Sequence, residues 1–367
     1  MQSDAAPLLQ YSLGYLVLIS FVGCLGLIAL AQIFPWLCGR DDDENAVQSM
    51  HSQPTPRIGG FAIFLALALS VGFAPDTIVQ NYVGFIIATA LIFFVGLSED
   101  LGFRVSPRGR LLAVCLASLI VVMLFGTWLP RISVPYFDLL LQYWIFGVPF
   151  TLLITAGVAN GFNLIDGVNG LAAMTAIGAS VSIALISLQA GHDTMVMLSM
   201  MLAAVVFGFF LVNFPFGLIF LGDAGAYTIG FVLSWFGIAV LIFAPAVSAW
   251  AILLTLFWPL ADTLFAMYRR SRLKKDAMSP DRLHFHQLVM RGLEICFLGR
   301  KRRRIANPLT TLVLAPFVIA PQVIGVILWD NNRAAFLAVL AFLAAFFGSY
   351  LVSVPAVRAF RQRSRET

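Results

Sequence analysis

Eleven apolar stretches recur along this chain, near residues 12–38, 58–75, 81–97, 110–129, 139–159, 168–189, 196–215, 226–244, 248–268, 310–329 and 334–355. Most approach or exceed the roughly 20 residues that a helix needs to cross the hydrocarbon layer of a bilayer. Inside lipid no water satisfies backbone N–H and C=O groups, so a spanning segment of this kind folds as a helix. The expectation is an all-α polytopic membrane protein with about eleven transmembrane helices. Composition points the same way. Only 11% of residues are charged and mean hydropathy is +0.92, whereas soluble domains carry about 25% charged residues. The whole chain, 1–367, reads as one integral membrane domain.

The four cysteines (Cys24, Cys38, Cys115 and Cys296) are scattered, with no CxxC pair and no framework in an external loop. They read as small buried hydrophobes. The segment MQSDAAPLLQYS lacks the basic region of a signal peptide, so the first apolar stretch is expected to stay as a helix.

Charge fixes an orientation. If alternate loops lie on alternate sides, one side holds 39–57, 98–109, 160–167, 216–225, 269–309 and the tail after 355. Counting Arg110 with the second of these, that side carries 21 of the 23 Lys and Arg; Arg131 and Arg333 are on the other. Cytoplasmic loops are the basic ones. The expected N-terminus is therefore outside and the C-terminus cytoplasmic. The long loop 269–309 and the basic tail 356–367 attract anionic lipid headgroups; nucleic-acid binding is not expected, because no soluble module accompanies the basic runs.

The unusual polar residues fall on the basic side. They are HSQPTPRIGG (51–60), Glu99-Asp100, NGFNLIDGVNG (160–170), GDAG (222–225) and RLHFH (282–286). Each has a plain alternative. Glu99-Asp100 could begin a solvated loop, GDAG could be a turn, and Asn213 could cap a helix. Asp262, in WPLADTLFAMYRR, could pair with Arg269 or Arg270. His284 and His286 could be a zinc pair, although no nearby ligands complete a set. Their shared side carries the weight, since independent scatter would not gather them at one face. Glu99, Asp100, Asp166 and Asp223, with amides Asn160 and Asn163, are oxygen donors suited to a hard cation such as Mg²⁺. Arg282, His284 and His286 add donors for anionic oxygens. Glycines at 59–60 and 222–225 let backbone approach a ligand. Acids, a cation and basic donors together describe phosphoryl transfer.

Five ordered motifs, HSQPTPRIGG (51–60), GLSEDLGFRVSPRGRLL (96–112), NGFNLIDGVNG (160–170), FLGDAGA (220–226) and SPDRLHFHQLVMR (279–291), resemble those of the polyprenyl-phosphate N-acetylhexosamine-1-phosphate transferases, glycosyltransferase family 4. The eleven-span count is similar to the GlcNAc-1-phosphate branch rather than the ten-span peptidoglycan branch. The resemblance implies that a UDP-N-acetylhexosamine gives its sugar-1-phosphate to undecaprenyl phosphate and releases UMP, as the first step of an O-antigen or similar surface glycan. It implies Asp223 as the main Mg²⁺ ligand (Mn²⁺ being the alternative metal), with Asn163 beside the metal. Asp166 would shape the nucleotide side. Asp100, with Glu99, would face the lipid phosphate as base or electrostatic organiser. Arg282, His284 and His286 would hold the sugar-phosphate or diphosphate, and Arg104, Arg108 and Arg110 the lipid phosphate. Thr55, Gly59, Gly60, Asn160 and Asn169 complete the expected substrate contacts.

Three positions depart from the family pattern. Glu99 replaces the first of two Asp, Asn169 replaces an Asp, and Gln287 replaces a third His. Asn169 is thus where substrate choice is expected to be read. The expected partners are UDP-N-acetylhexosamine, undecaprenyl phosphate and the bilayer; a homodimer is allowed but not implied. Competing readings are an ion-coupled transporter, which would place acids at mid-membrane, and a polyprenyl diphosphate phosphatase, for which no nucleophile–base signature is present.

Overall fold

The computed structural model describes residues 5–38, 55–272, 284–299 and 302–366. Among these there is no strand. The helices are α1 (Ala5–Ile33), α2 (Gly59–Leu69, continued by a tight turn Ser70–Phe73), α3 (Val79–Asp100), α4 (Pro107–Phe125), α5 (Pro135–Leu141), α6 (Trp144–Ile165) and α7 (Leu171–Gln189). They continue as α8 (Asp193–Asn213), α9 (Gly222–Phe243), α10 (Ala249–Thr255), α11 (Phe257–Arg272), α12 (Phe285–Leu293), α13 (Arg303–Ile327) and α14 (Asn332–Glu366).

Nine of the described helices are long and apolar enough to cross a membrane, or ten if the bent pair α10–α11 is one span. The second expected segment, near 58–75, is the short apolar helix Gly59–Phe73. At 1.5 Å per residue such a helix falls short of the ~30 Å layer. The expected span at 248–268 is two helices meeting at 83°. Outer helices present apolar side chains such as Met123, Ile87 and Leu153 to the surroundings, as a lipid-facing surface requires.

The centre of the bundle is α9, most of which is buried against α2, α3, α6 and α7. Small residues make this packing possible. A Cβ on Gly60 would lie 2.6 Å from the Gly225 Cα, and one on Gly96 would lie 2.6 Å from the Ala224 Cα. Backbones this close are the mode of helix association expected in lipid, where hydrophobic burial gives no bias between helices. Gly60, expected to approach a ligand, approaches α9 instead, and Gly59 packs beneath Phe209 and the Phe220 carbonyl.

Buried polar groups are joined across helices. Ser118 on α4 bonds Thr155 on α6 at 2.6 Å and accepts from the Trp235 indole of α9. At the break between α10 and α11, the Thr255 carbonyl accepts from Gln322 of α13, whose amide also reaches Thr175 of α7. Broken helices in membranes are tolerated where neighbours satisfy the freed carbonyls in this way. At the far end of α9, the Arg131 guanidinium donates to the carbonyls of Leu241, Ala244, Pro245 and Val247. A cation there satisfies the terminal carbonyls and opposes the helix dipole. Cys24, Cys115 and Cys296 are free thiols.

The helices also move the polar motifs. Glu99 and Asp100 form the last turn of α3, Asn160 and Asn163 the last turns of α6, and Gly222–Asp223 the first turn of α9. Residues 303–309, assigned to the long loop, belong to α13. The expected loop ligands are therefore helix-terminal ligands, held by the ladders of the spans themselves.

Candidate active site

The site grows from the N-terminus of α9. The first N–H groups of any helix lack intrahelical acceptors and carry a partial positive charge. Here two carboxylates from other helices meet them. Asp100, 5% exposed at the end of α3, accepts from the Asp223 N–H through Oδ1 at 2.8 Å and from the Ala224 N–H through Oδ2 at 2.9 Å. Asp166, just past α6, accepts from the Gly222 N–H. Gly222 has φ +72°, and any side chain on it would strike the Arg57 carbonyl and the Asp100 carboxylate. A short extended pairing holds the 56–60 segment against this turn: Phe220 N–H to Pro56 O, Gly59 N–H to Phe220 O and Gly60 N–H to Leu221 O, at 2.8–2.9 Å. Thr55 opens that segment and is partly buried.

The Arg57 charge acts on both Asp100 and Asp166. Burial pushes the Asp166 carboxyl up to about 7, against the pull of Arg57 and the Gly222 N–H. The sequence reading quoted Arg57 within its motif but gave it no role; a basic residue beside the Gly59-Gly60 pair was the available signal.

Asp223 is buried and ion-paired with Arg110 of α4, yet its Oδ2 accepts no well-formed hydrogen bond. One turn on, Tyr227 lies beneath the Arg110 guanidinium, 5.9 Å from ring centroid to Cζ. Its hydroxyl donates to Asn160 Oδ1 at 3.4 Å and also bonds Asn163. Tyr227 was another omission, readable only as the i+4 neighbour of Asp223. Asp223, Arg110, Tyr227, Asn160 and Asn163 are thereby brought together, with Asp100, Asp166 and Arg57 on the adjoining turn.

Other expected residues are placed differently. Glu99 accepts from the Val105 N–H at 2.6 Å and shapes the turn into α4. Arg104 and Arg108 are exposed beside that turn. Asn169 is 6% exposed and held within the fold: its N–H donates to Asn307 Oδ1, its Nδ2 to the Pro215 carbonyl, and its carbonyl accepts from Thr311. Asn213, expected as a helix cap, links the Gly170 N–H to the Ile219 carbonyl. These amides tie the 166–170 turn to the 213–219 turn and to α13.

The His-x-His segment begins α12. His284 Nδ1 lies 2.8 Å from Asp262 Oδ2, and the Phe285 N–H donates to Asp262 Oδ1 at 3.2 Å. The two imidazoles are nearly parallel, 5.9 Å apart. His286 is 1% exposed and sits against Gly167, and among the described residues neither ring nitrogen has a hydrogen-bond partner. Burial pushes its pKa down to about 4, so the ring is neutral at pH 7. Arg282 lies outside the described residues.

Among the described residues, no group of three or more His, Cys, Asp and Glu side chains forms a protein-only metal cage. The Asp223 carboxylate, paired through Oδ2 with Arg110, and the Asn163 amide, joined to it through Tyr227, are instead a sparse oxygen set. Mg²⁺ commonly takes such sets, keeping waters and completing its shell with substrate phosphates.

The glycosyl transferase family 4 model matches residues 82–241, which cover all of α6 and most of α3 and α9. A Bacillus subtilis (strain 168) protein named "Probable undecaprenyl-phosphate N-acetylglucosaminyl 1-phosphate transferase" is 29% identical over 254 residues, 68% of this chain and 69% of its own. The "Undecaprenyl-phosphate alpha-N-acetylglucosaminyl 1-phosphate transferase" of Yersinia pestis is 26% identical over 325 residues, 84% of this chain and 82% of its own. A "Decaprenyl-phosphate N-acetylglucosaminephosphotransferase" of Mycobacterium tuberculosis (strain CDC 1551 / Oshkosh) is 27% identical over 292 residues, 70% of this chain and 69% of its own. With motifs in order, a helical fold rich in apolar spans and relatives matched over most of its length, the chain is similar to glycosyl transferase family 4.

Proposed function

We propose that the protein transfers N-acetylhexosamine-1-phosphate from a UDP-sugar to undecaprenyl phosphate at the cytoplasmic face of a bacterial inner membrane. The carrying observation is the convergence of Asp223, Asn160, Asn163, Asp166, Arg57 and Arg110 on the N-terminus of α9. The names of the relatives support a polyprenyl phosphate acceptor, and the concentration of Lys and Arg in the loops around the site supports a cytoplasmic face.

An oxyanion of the lipid phosphate attacks the β-phosphorus of the donor. A new P–O bond forms, the bond to the α-phosphate bridging oxygen breaks, and UMP leaves with that electron pair. No proton moves, because the attacking phosphate is already anionic near neutral pH. Phosphoryl transfer then needs mainly alignment and charge neutralisation. Arg110, beside Asp223, would hold the lipid phosphate. Arg57 and the α9 N-terminus offer positive charge to the donor phosphates. Asn163 and Asp166 border the nucleotide. Mg²⁺, held by Asp223 with Asn163 nearby, would supply charge neutralisation between the phosphates. Asp100, with both oxygens on backbone N–H groups, acts as an organiser of the Asp223 turn rather than as a base.

Transfer exchanges one phosphoanhydride for another, so it is close to isoenergetic and is drawn forward by later steps. The product is the first lipid-linked sugar of an O-antigen or related surface glycan. Membranes carrying the protein are expected to convert one member of a UDP-sugar panel, with radiolabelled undecaprenyl phosphate, into an extractable lipid-linked sugar, and EDTA is expected to stop it. Failure with every UDP-HexNAc would overturn the reading. A cysteine introduced at Ser279 is expected to react with an impermeant reagent from the cytoplasmic side only.

A further inference from the structure

Asp262 is a buried acid that the reaction above does not use. It is 2% exposed on α11, with Trp258 and Phe265 on its own helix within one turn. A carboxylate in such a place stays ionised only where hydrogen bonds or a countercharge hold it. Its two oxygens have different partners: Oδ2 meets His284 Nδ1 at 2.8 Å, and Oδ1 accepts the Phe285 N–H at 3.2 Å. His284 occupies the position before α12 but makes no capping bond with its own side chain, so Asp262 supplies that cap from a different helix. Phe285 is gripped as well, its ring 5.4 Å from Trp258 and 5.2 Å from Phe346. The consequence reaches the candidate site, because His286 follows two residues after His284, stacks parallel to it and presses on Gly167, next to Asp166.

We propose that Asp262 is the positioning residue of the His-x-His segment: it fixes the ring plane of His284 and keeps a proton on Nδ1, so that the ring takes up its second proton on Nε2 when the anionic donor binds and Nε2–H donates to it, and it sets the seat of His286 on the Asp166–Gly167 turn. A carboxylate that accepts from one imidazole nitrogen decides the state of the other and steadies the imidazolium when it forms. The donor-binding part rests on the transferase reading; the tautomer does not.

Two measurements separate these parts. The chain has four histidines, so heavy-nitrogen labelling of histidine in detergent gives four imidazoles, with H284Q identifying the resonance of His284. The expected wild-type spectrum shows His284 protonated at Nδ1. In Asp262→Asn the amide nitrogen can only donate to Nδ1, so the proton is expected to shift to Nε2. A wild-type His284 protonated at Nε2 alone, or a spectrum unchanged in the variant, would overturn the proposal without any assay of turnover. In the transferase assay, Asp262→Asn is expected to raise KM for the UDP-sugar by about tenfold, the loss of one charge-assisted hydrogen bond, while KM for the lipid phosphate and the melting temperature hold. An unchanged donor KM would equally refute it. Absence of transfer by the wild type would sink the transferase reading and leave the tautomer result standing.

Discussion

Asp100→Asn tests whether the second acid of the pair organises the site or takes a proton. In the structure the Asp223 and Ala224 N–H groups each have one Asp100 oxygen. An asparagine offers one oxygen and one NH₂, so one of these buried N–H groups loses its acceptor and faces a donor. An orphaned buried N–H costs about 1–3 kcal/mol. Removing negative charge from a helix N-terminus costs a further ~0.3–1 kcal/mol at exposed sites and up to ~2 kcal/mol when partly buried. Together the penalty is on the order of 2–4 kcal/mol, concentrated on the residue that carries Asp223. Thermal unfolding in detergent is expected to move down by several degrees, and the Mg²⁺ concentration for half-maximal transfer is expected to rise. A variant with wild-type melting and wild-type Mg²⁺ dependence, but low kcat, would refute the organiser role and return Asp100 to the part of a base.

The remaining predictions concern the same helix. Asp223→Asn is expected to lose nearly all transfer while melting close to the wild type, because a neutral amide is a poor substitute for a carboxylate on Mg²⁺; substantial residual turnover would remove Asp223 from the metal role. For Asp166 the pH sign can be worked out. Its folded pKa is raised from 3.8 to about 7, so the native state binds the extra proton between those values and stability falls as pH rises through that window. Asp166→Asn is therefore expected to melt above the wild type at pH 8 and to match it near pH 4, with the difference appearing between them. At the opposite end, Arg131→Ala frees the Leu241 carbonyl at the end of α9 and those of Ala244, Pro245 and Val247 just beyond it. The expected loss is on the order of 2–4 kcal/mol of stability, read as a lower melting temperature with unchanged KM values.

The helical membrane fold was legible because hydropathy reports length and polarity directly. Span ends were harder to read. Asn160, Asn163 and Gly222–Asp223 looked like loops because they are polar, whereas helix termini tolerate polar residues that other helices satisfy. Contacts made at long range left no local signal. Asp100 caps a turn 123 residues away, and Asn169, which marks a family departure, bonds Asn307, Pro215 and Thr311. Gly59 and Gly60 were legible as close-approach positions, but not as helix contacts. Asp262 could have paired with Arg269, which instead lies over the rings of Phe265 and Tyr350. The set of acids and amides at one face was legible from motif order and charge asymmetry; Arg57 and Tyr227 joined it only once α9 placed them.

The most direct test of the central claim is UMP released by the purified protein given UDP-N-acetylhexosamine and undecaprenyl phosphate, measured alongside the lipid product. The account predicts UMP and lipid-linked sugar in equal amounts, both requiring the lipid and both stopped by EDTA. UMP without lipid product, or neither product with any UDP-N-acetylhexosamine, would contradict it.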